Sequence, residues 1–411
     1  MSPGPSAGAG PGHRPTAPGR TPHRPERPDS PGSLDGPHRP EPGPHRPELL
    51  ELALWAAGAV PRRAVSGPAP VSGPGGRLRH DAPASRPAPR PGVDALARAQ
   101  DGVRTARERQ GLARYAEATA LADAALLWAR RAGSEPERVA ALRVLGVSLW
   151  QGPEPAGAAA FRIRALLEEH GAGRPAARLA LTGPLAVLYG MRERWVPAQG
   201  ALALARAAVA ELDPAGGSVL LPVLTARVES LAGRTRQAVH LLEAAADSAD
   251  LLGLGLVREA ARRAVLRLLA DTGRYTEAME WMPVRDPRVE AVGDRRTAWS
   301  LNGDGSAGAA ARIAAVRGHD EEALALAERA VDAAAATDSP VARATARLDQ
   351  AEVFRLTGRR DEARRAICLA GCDLAGKGHV PGVTDAAARH AALASPPPSS
   401  PSPSSPGVPG G

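Results

Sequence analysis

Between residues 93 and 395 apolar positions recur at i, i+3/i+4 and i+7, in blocks long enough for helices of about 15 to 17 residues. The blocks alternate with short turns, and every second block carries the same phrase. Seven of them place a small residue near their start: Ala118, Gly157, Ala198, Ala238, Ala278, Ala323 and Ala363, at spacings of 39, 41, 40, 40, 45 and 40. Four residues further on stand Ala122, Phe161, Leu202, Leu242, Met282, Ala327 and Ile367, all apolar. Seven further on stand Ala125, Arg164, Ala205, Ala245, Arg285, Ala330 and Ala370. Five residues before the small residue, Gly152, Gly233, Gly273, Gly318 and Gly358 fill five of the seven positions. Tyr115, Trp195 and Tyr275 stand three residues before it.

The phrase has a physical reading. A glycine closing one helix takes the left-handed cap, and a small residue in the next lets two antiparallel helices approach closely. Forty residues accommodate two helices, each about 24 Å long, and two turns. A single hairpin cannot bury its own apolar stripe, so hairpins must stack. The pattern predicts an all-α fold, a solenoid of about seven helical hairpins. Pro184 and Pro222 fall inside predicted first helices and are expected to kink or shorten them. The 45-residue step coincides with Arg285–Gly308, read as an inserted loop spanning about 284–308.

Proline placement sets the outer limits. Of 41 prolines, 22 lie in residues 1–92 and 7 in residues 396–411. Both ends therefore read as Pro-rich disordered tails that bury too little apolar surface to offset chain entropy. The first tail holds one apolar island, Leu49 to Val60, too short to span a bilayer and read as a transient or docking helix. Its PHRPE phrases, beginning at Pro22, Pro37 and Pro44, read as extended linker.

Gly273-x-Tyr275-x-x-Ala278 resembles the tetratricopeptide repeat, whose usual period is 34. The longer period is more similar to the helical-repeat regions of actinobacterial LuxR-type and adenylate-cyclase-associated signalling ATPases. Ala342 to His379 resembles their final repeat. The resemblance implies a right-handed superhelix and a regulatory role. The chain departs from those proteins in lacking GxxxxGK[ST], and Lys377 is its only lysine, so no P-loop ATPase is expected.

Charge and candidate chemistry narrow the function. The formal net charge is +8, but residues 1–92 hold 12 arginines against 7 acids, so the helical part is close to balanced. Nucleic-acid binding is disfavoured, because cations are not gathered on one face with stacking aromatics. No export signal or membrane span precedes the helices, which points to the cytoplasm. Gly303–Gly308 matches G-x-G-x-x-G but follows no strand, and reads as a solvent loop. Cys368 and Cys372, four apart on one helix, read as small buried residues and not as metal ligands. No catalytic constellation, cofactor site or metal site is expected.

Arg227, Arg267 and Arg312 each stand eleven residues before their repeat's small residue. They share one register on three first helices. In tetratricopeptide-like stacks that register faces the concave groove, so the resemblance implies an arginine ladder for acidic side chains or a terminal carboxylate. The expected function is a non-enzymatic scaffold that binds a partner peptide or helix in the groove. The alternative is a small-ligand-sensing regulatory module.

Overall fold

The computed structural model describes residues 91–212, 214–282 and 306–394. The expected tails lie outside these residues apart from Pro91 and Gly92, as do Leu49 to Val60, the PHRPE phrases and residues 284–305 of the expected loop.

Every regular element among the described residues is an α-helix. In chain order they are α1 (Pro91–Gly111), α2 (Tyr115–Ala132), α3 (Glu135–Gln151), α4 (Ala156–His170) and α5 (Pro175–Met191). Next come α6 (Trp195–Leu212), α7 (Pro214–Leu231), α8 (Thr235–Leu251), α9 (Gly255–Asp271) and the short α10 (Tyr275–Glu280). The last five are α11 (Ser306–Val316), α12 (Asp320–Ala335), α13 (Pro340–Leu356), α14 (Arg360–Lys377) and α15 (Val380–Ala394). Ser306 to Gly308 are thus helical, and the expected loop ends before them.

Most helices pack against the next in the chain, and odd-numbered helices also pack against one another: α1 on α3, α3 on α5, α5 on α7, α9 on α11, α11 on α13. The odd helices thus lie against one another in two runs, α1 to α7 and α9 to α13. The burial pattern follows from this. In α3 every residue from Val139 to Trp150 is buried, as expected of a helix apolar on all sides. The even helix α8 buries one stripe, Ala238, Val239, Leu242, Ala245, Ala246 and Ala249. Pro184 and Pro222 do not shorten their helices: α5 runs 17 residues and α7 runs 18.

The turn column is broader than glycine. Gly233, Gly273, Gly318 and Gly358 have φ between 73° and 79°, and Ala113 (φ 53°) and Glu193 (φ 55°) take the left-handed conformation at the matching place. Each closes a Schellman-type turn. Arg114 N–H bonds Arg109 O at 2.9 Å, Arg194 N–H bonds Tyr189 O at 2.9 Å and Arg234 N–H bonds Glu229 O at 2.9 Å. The α3–α4 connection is the exception. Gly152 there is extended (φ −78°, ψ −175°) and leads into Pro153-Glu154-Pro155.

That departure corrects the register of one repeat. In α4 the buried residues are Ala156, Ala159, Ala160, Ile163 and, at its end, His170, whereas Phe161 is 72% exposed and Arg164 is exposed. The small residue of this repeat is therefore Ala156, one place before Gly157.

One apolar cluster extends from Val103 in α1 to Ile313 in α11. Beyond it lie four small clusters composed mainly of alanine.

Candidate functional site

The three arginines of the expected ladder lie on α7, α9 and α11, and the packing of α9 on α11 brings two of them together. Arg267 Nε bonds Asp271 Oδ2 at 3.0 Å, and its Nη1 bonds Asp349 of α13. Arg312 Nη1 bonds Asp271 Oδ1 at 2.8 Å and Asp349 Oδ1 at 3.1 Å, while Nη2 donates to Ala270 O. Two guanidinium groups thus face two carboxylates in a closed cluster. Arg312 is only 2% exposed and Arg267 15%, so neither is open to solvent. Burial disfavours both charges, but Asp271 and Asp349 outweigh it and hold both arginines above their ordinary pKa. Burial likewise opposes the Asp271 charge, and Arg267 and Arg312 hold its pKa below the ordinary value.

Local sequence makes the cluster possible. Gly308 leaves the space that Asp349 occupies; a Cβ there would overlap the carboxylate. The register of the arginines continues into α13 as Glu352, which accepts from Tyr275 Oη at 3.0 Å and from Arg355 at 2.7 and 2.8 Å. Arg312 also stacks 5.8 Å from the Tyr275 ring.

Arg227 differs. It is partly buried on α7, and its guanidinium lies 6.0 Å from the Trp150 ring of α3. Among the described residues no carboxylate bonds it. Burial and the neighbouring Arg267 charge lower its pKa, against the pull of Asp271. The cluster therefore carries three cations, Arg227, Arg267 and Arg312, against Asp271 and Asp349. The surplus positive charge sits at Arg227, beside an aromatic face.

A second cluster, which the periodicity gave no sign of, joins the end of the array to its beginning. Lys377, the only lysine of the chain, is fully buried at the end of α14. Its ammonium donates to Leu149 O at 3.0 Å, Gly152 O at 2.7 Å and Glu154 O at 2.7 Å. Three N–H donors meet three carbonyls. Burial pushes its pKa down to about 8. The receiving loop is the irregular α3–α4 connection, where Pro153 and Pro155 supply no N–H and carbonyls outnumber donors. Leu149 O is also one of the free carbonyls at the negative end of α3.

Asp338, in the α12–α13 connection, grips the same edge. Its Oδ1 accepts from Tyr115 N–H at 2.9 Å and its Oδ2 from Ala116 N–H at 2.7 Å, at the positive end of α2. Asp338 N–H donates to Ala113 O at 3.2 Å. An acid thus caps the start of α2 and a base caps the end of α3, both from more than 220 residues away. Next to Lys377, His379 caps α15: its Nδ1 accepts from Gly382 N–H at 3.0 Å. Burial, reinforced by the charges of Arg227 and Lys377, pushes the imidazole down to about 4.

Cys368 and Cys372 are both exposed, contrary to the buried reading, because both fall on the solvent side of α14 while Ala363, Ala366, Ile367 and Ala370 face inward. A depression of about 710 Å³ over the α7–α8 and α9–α10 connections is lined by Arg234, Arg236, Arg274 and Glu277 among others, and includes none of the ladder arginines. Among the described residues no three His, Cys, Asp or Glu side chains converge as metal ligands, and no helix is long and apolar enough to cross a membrane.

The chain matches no protein-family model and no curated protein.

Proposed function

We propose that this chain is a non-enzymatic protein–protein interaction scaffold of a regulatory pathway, built as a right-handed α-solenoid of about seven tetratricopeptide-like hairpins. Its partner is a peptide or helix carrying carboxylates, bound along the odd helices. The reading also takes the chain as akin to the repeat regions of actinobacterial signalling ATPases, working in the cytoplasm without a nucleotide.

One observation carries the partner's chemistry. Arg227 is a partly buried guanidinium beside Trp150 to which no carboxylate among the described residues is bonded, next to a cluster whose other charges are neutralised. A charge in such a place gains most from an incoming carboxylate, which a guanidinium engages with two parallel hydrogen bonds. Arg267 and Arg312 act differently from the expected ladder: they fix the helices against one another and hold the field in which Arg227 stands.

Fluorescence polarisation against a library of Asp- and Glu-rich peptides, including peptides with free C-terminal carboxylates, tests the reading. Arg227→Ala is expected to weaken the best binder at least about tenfold, the weight of one charge-assisted pair. Equal affinity for wild type and Arg227→Ala would remove the Arg227 site. The small-ligand reading is favoured by the joining of the array's two ends, and predicts a melting-temperature rise with small anionic metabolites in the absence of any peptide.

A further inference from the structure

The joints of this molecule are of two chemical kinds. From α1 to α11 neighbouring helices share one apolar cluster, so separating any two of them exposes apolar surface to water. The joint between the end of the array and its beginning is made otherwise. Its hydrogen bonds include Lys377 on three carbonyls, Asp338 on two backbone N–H groups, and the Asp338 N–H on Ala113 O. Of the residues in α12–α15, Val341 is the one that packs against the main apolar cluster, and α15 touches α5 only lightly. Hydrogen bonds to backbone groups can be exchanged for hydrogen bonds to water, whereas buried apolar surface has no such substitute. The seam is therefore the joint that yields first.

The opposite side of the same block is anchored. Arg267 and Arg312 tie α9 and α11 to Asp349 of α13, and Tyr275 bonds Glu352. A block held by a buried ion cluster on one side and by two polar clasps on the other is built to swing about the first when the second lets go. Lys377 holds Leu149 O and Gly152 O, on either side of Trp150 in the chain, so the seam adjoins the ring beside which Arg227 stands.

We infer that the seam formed by Lys377 and Asp338 is a gate: α12–α15 swing away from α2–α4 as a unit, with all helices intact, to admit a partner to the face that carries Arg227 and Trp150. Admission of a partner rests on the function proposed above. The swing itself does not, and is measured without any partner.

The full chain is labelled for interhelix distance measurement at native Cys368 on α14 and at Ala165→Cys on α4, both exposed positions, with Cys372→Ser to leave two labels. In the otherwise wild-type protein the distance distribution is expected to be narrow, and Lys377→Met with Asp338→Ala is expected to broaden it toward longer distances while far-ultraviolet circular dichroism keeps its helical amplitude. A narrow, unshifted distribution in that double variant, with helicity retained, overturns the gate. Should the double variant lose its helices, hydrogen exchange in the unaltered chain decides. The Tyr115 and Ala116 amides, which Asp338 accepts, are expected to exchange through an opening with a much weaker denaturant dependence than the amides of Leu185 and Leu188 in α5. The same dependence at both places means that the seam opens only when the whole chain unfolds, and the gate is then rejected. A gate that passes either test while acidic peptides fail to bind leaves the swing standing and removes the proposed partner.

Discussion

At the scale of single residues the connection between paired helices is the clearest case of sequence acting through backbone geometry. Six connections place a left-handed residue at the same step, and two of these carry a side chain there, Ala113 and Glu193. A Cβ in that conformation costs about 1–2 kcal/mol, while glycine costs the unfolded chain more entropy, so the net gain on substitution is smaller. Ala113→Gly and Glu193→Gly are each expected to raise stability by about 0.5–1 kcal/mol, read as a higher urea midpoint at unchanged slope. Gly233→Ala should lower the midpoint by a similar or larger amount. If Ala113→Gly leaves the midpoint unchanged or lowers it, the strain assigned to that turn is absent. The four glycines of this column were legible in the sequence because glycine announces its own conformation. Ala113 and Glu193 were not, since nothing about either residue type signals a left-handed backbone. The register of α4 is ambiguous in sequence for a related reason: Ala156-Gly157-Ala158-Ala159-Ala160 offers several small residues, and only burial shows that Ala156 and Ala160 face the core.

At the scale of elements, helix caps decide how the array responds to pH. His379 closes the start of α15 with an unprotonated Nδ1 that accepts the Gly382 N–H, and its pKa lies at about 4. Protonation would turn that acceptor into a donor facing another donor. In the unfolded chain an imidazole titrates near 6.5. Above that value neither state holds the proton, and the cap contributes fully. As pH falls from 6.5 toward 4, the unfolded chain takes up a proton that the folded chain refuses, and stability is lost throughout that window. The loss by about pH 5 is expected to be about 2 kcal/mol. Lys377 does not contribute there, because below its value of about 8 it is charged in both states. Burial also lowers the pKa of His170, which adds a loss in the same window. Asp271 and Glu352, held below ordinary carboxylate values, lose their contributions lower still. His379→Asn keeps an acceptor at the cap and removes the titration. Urea unfolding at about pH 7 and about pH 5 should show a steep loss in wild type and a much shallower one in His379→Asn. Equal losses in the two proteins would mean that other groups set the acid response. Helix positions were largely legible from periodicity, and so was the shared register of Arg227, Arg267 and Arg312. What that register touches was not legible, because Asp349 reaches Arg267 from 82 residues away and Arg312 from 37. The exposed Cys368 and Cys372 show the same limit: residue type suggested burial, but the helix turned its other side to the core.

At the scale of the whole molecule, apolar burial is unevenly spread. α3 and α5 are enclosed on nearly all sides, with Leu142, Leu145, Leu149, Leu181 and Leu188 fully buried, and they belong to the cluster that extends from α1 to α11. The helices from α12 onward rest on small clusters such as Ala351, Ala366, Ile367 and Ala386. Alanine buries little area, and at about 25 cal/mol per Å² its contribution per contact is a fraction of that of leucine. Ion pairs supplement these thin cores: Asp373 binds Arg343 and Arg347, and Arg312 and Arg267 share Asp349. Buried pairs add little net stability once desolvation is counted, though they fix geometry. The joining of the two ends was invisible in the sequence for a physical reason: a lysine and an aspartate that cap helices more than 220 residues away leave no local pattern. The fold should therefore open in order. Hydrogen exchange followed by mass spectrometry is expected to show amides of α12–α15 exchanging at lower denaturant than those of α3 and α5, which should exchange only with global unfolding. Uniform protection from α1 to α15 would mean that the alanine clusters and their ion pairs are as strong as the leucine core, and that the array unfolds in a single step.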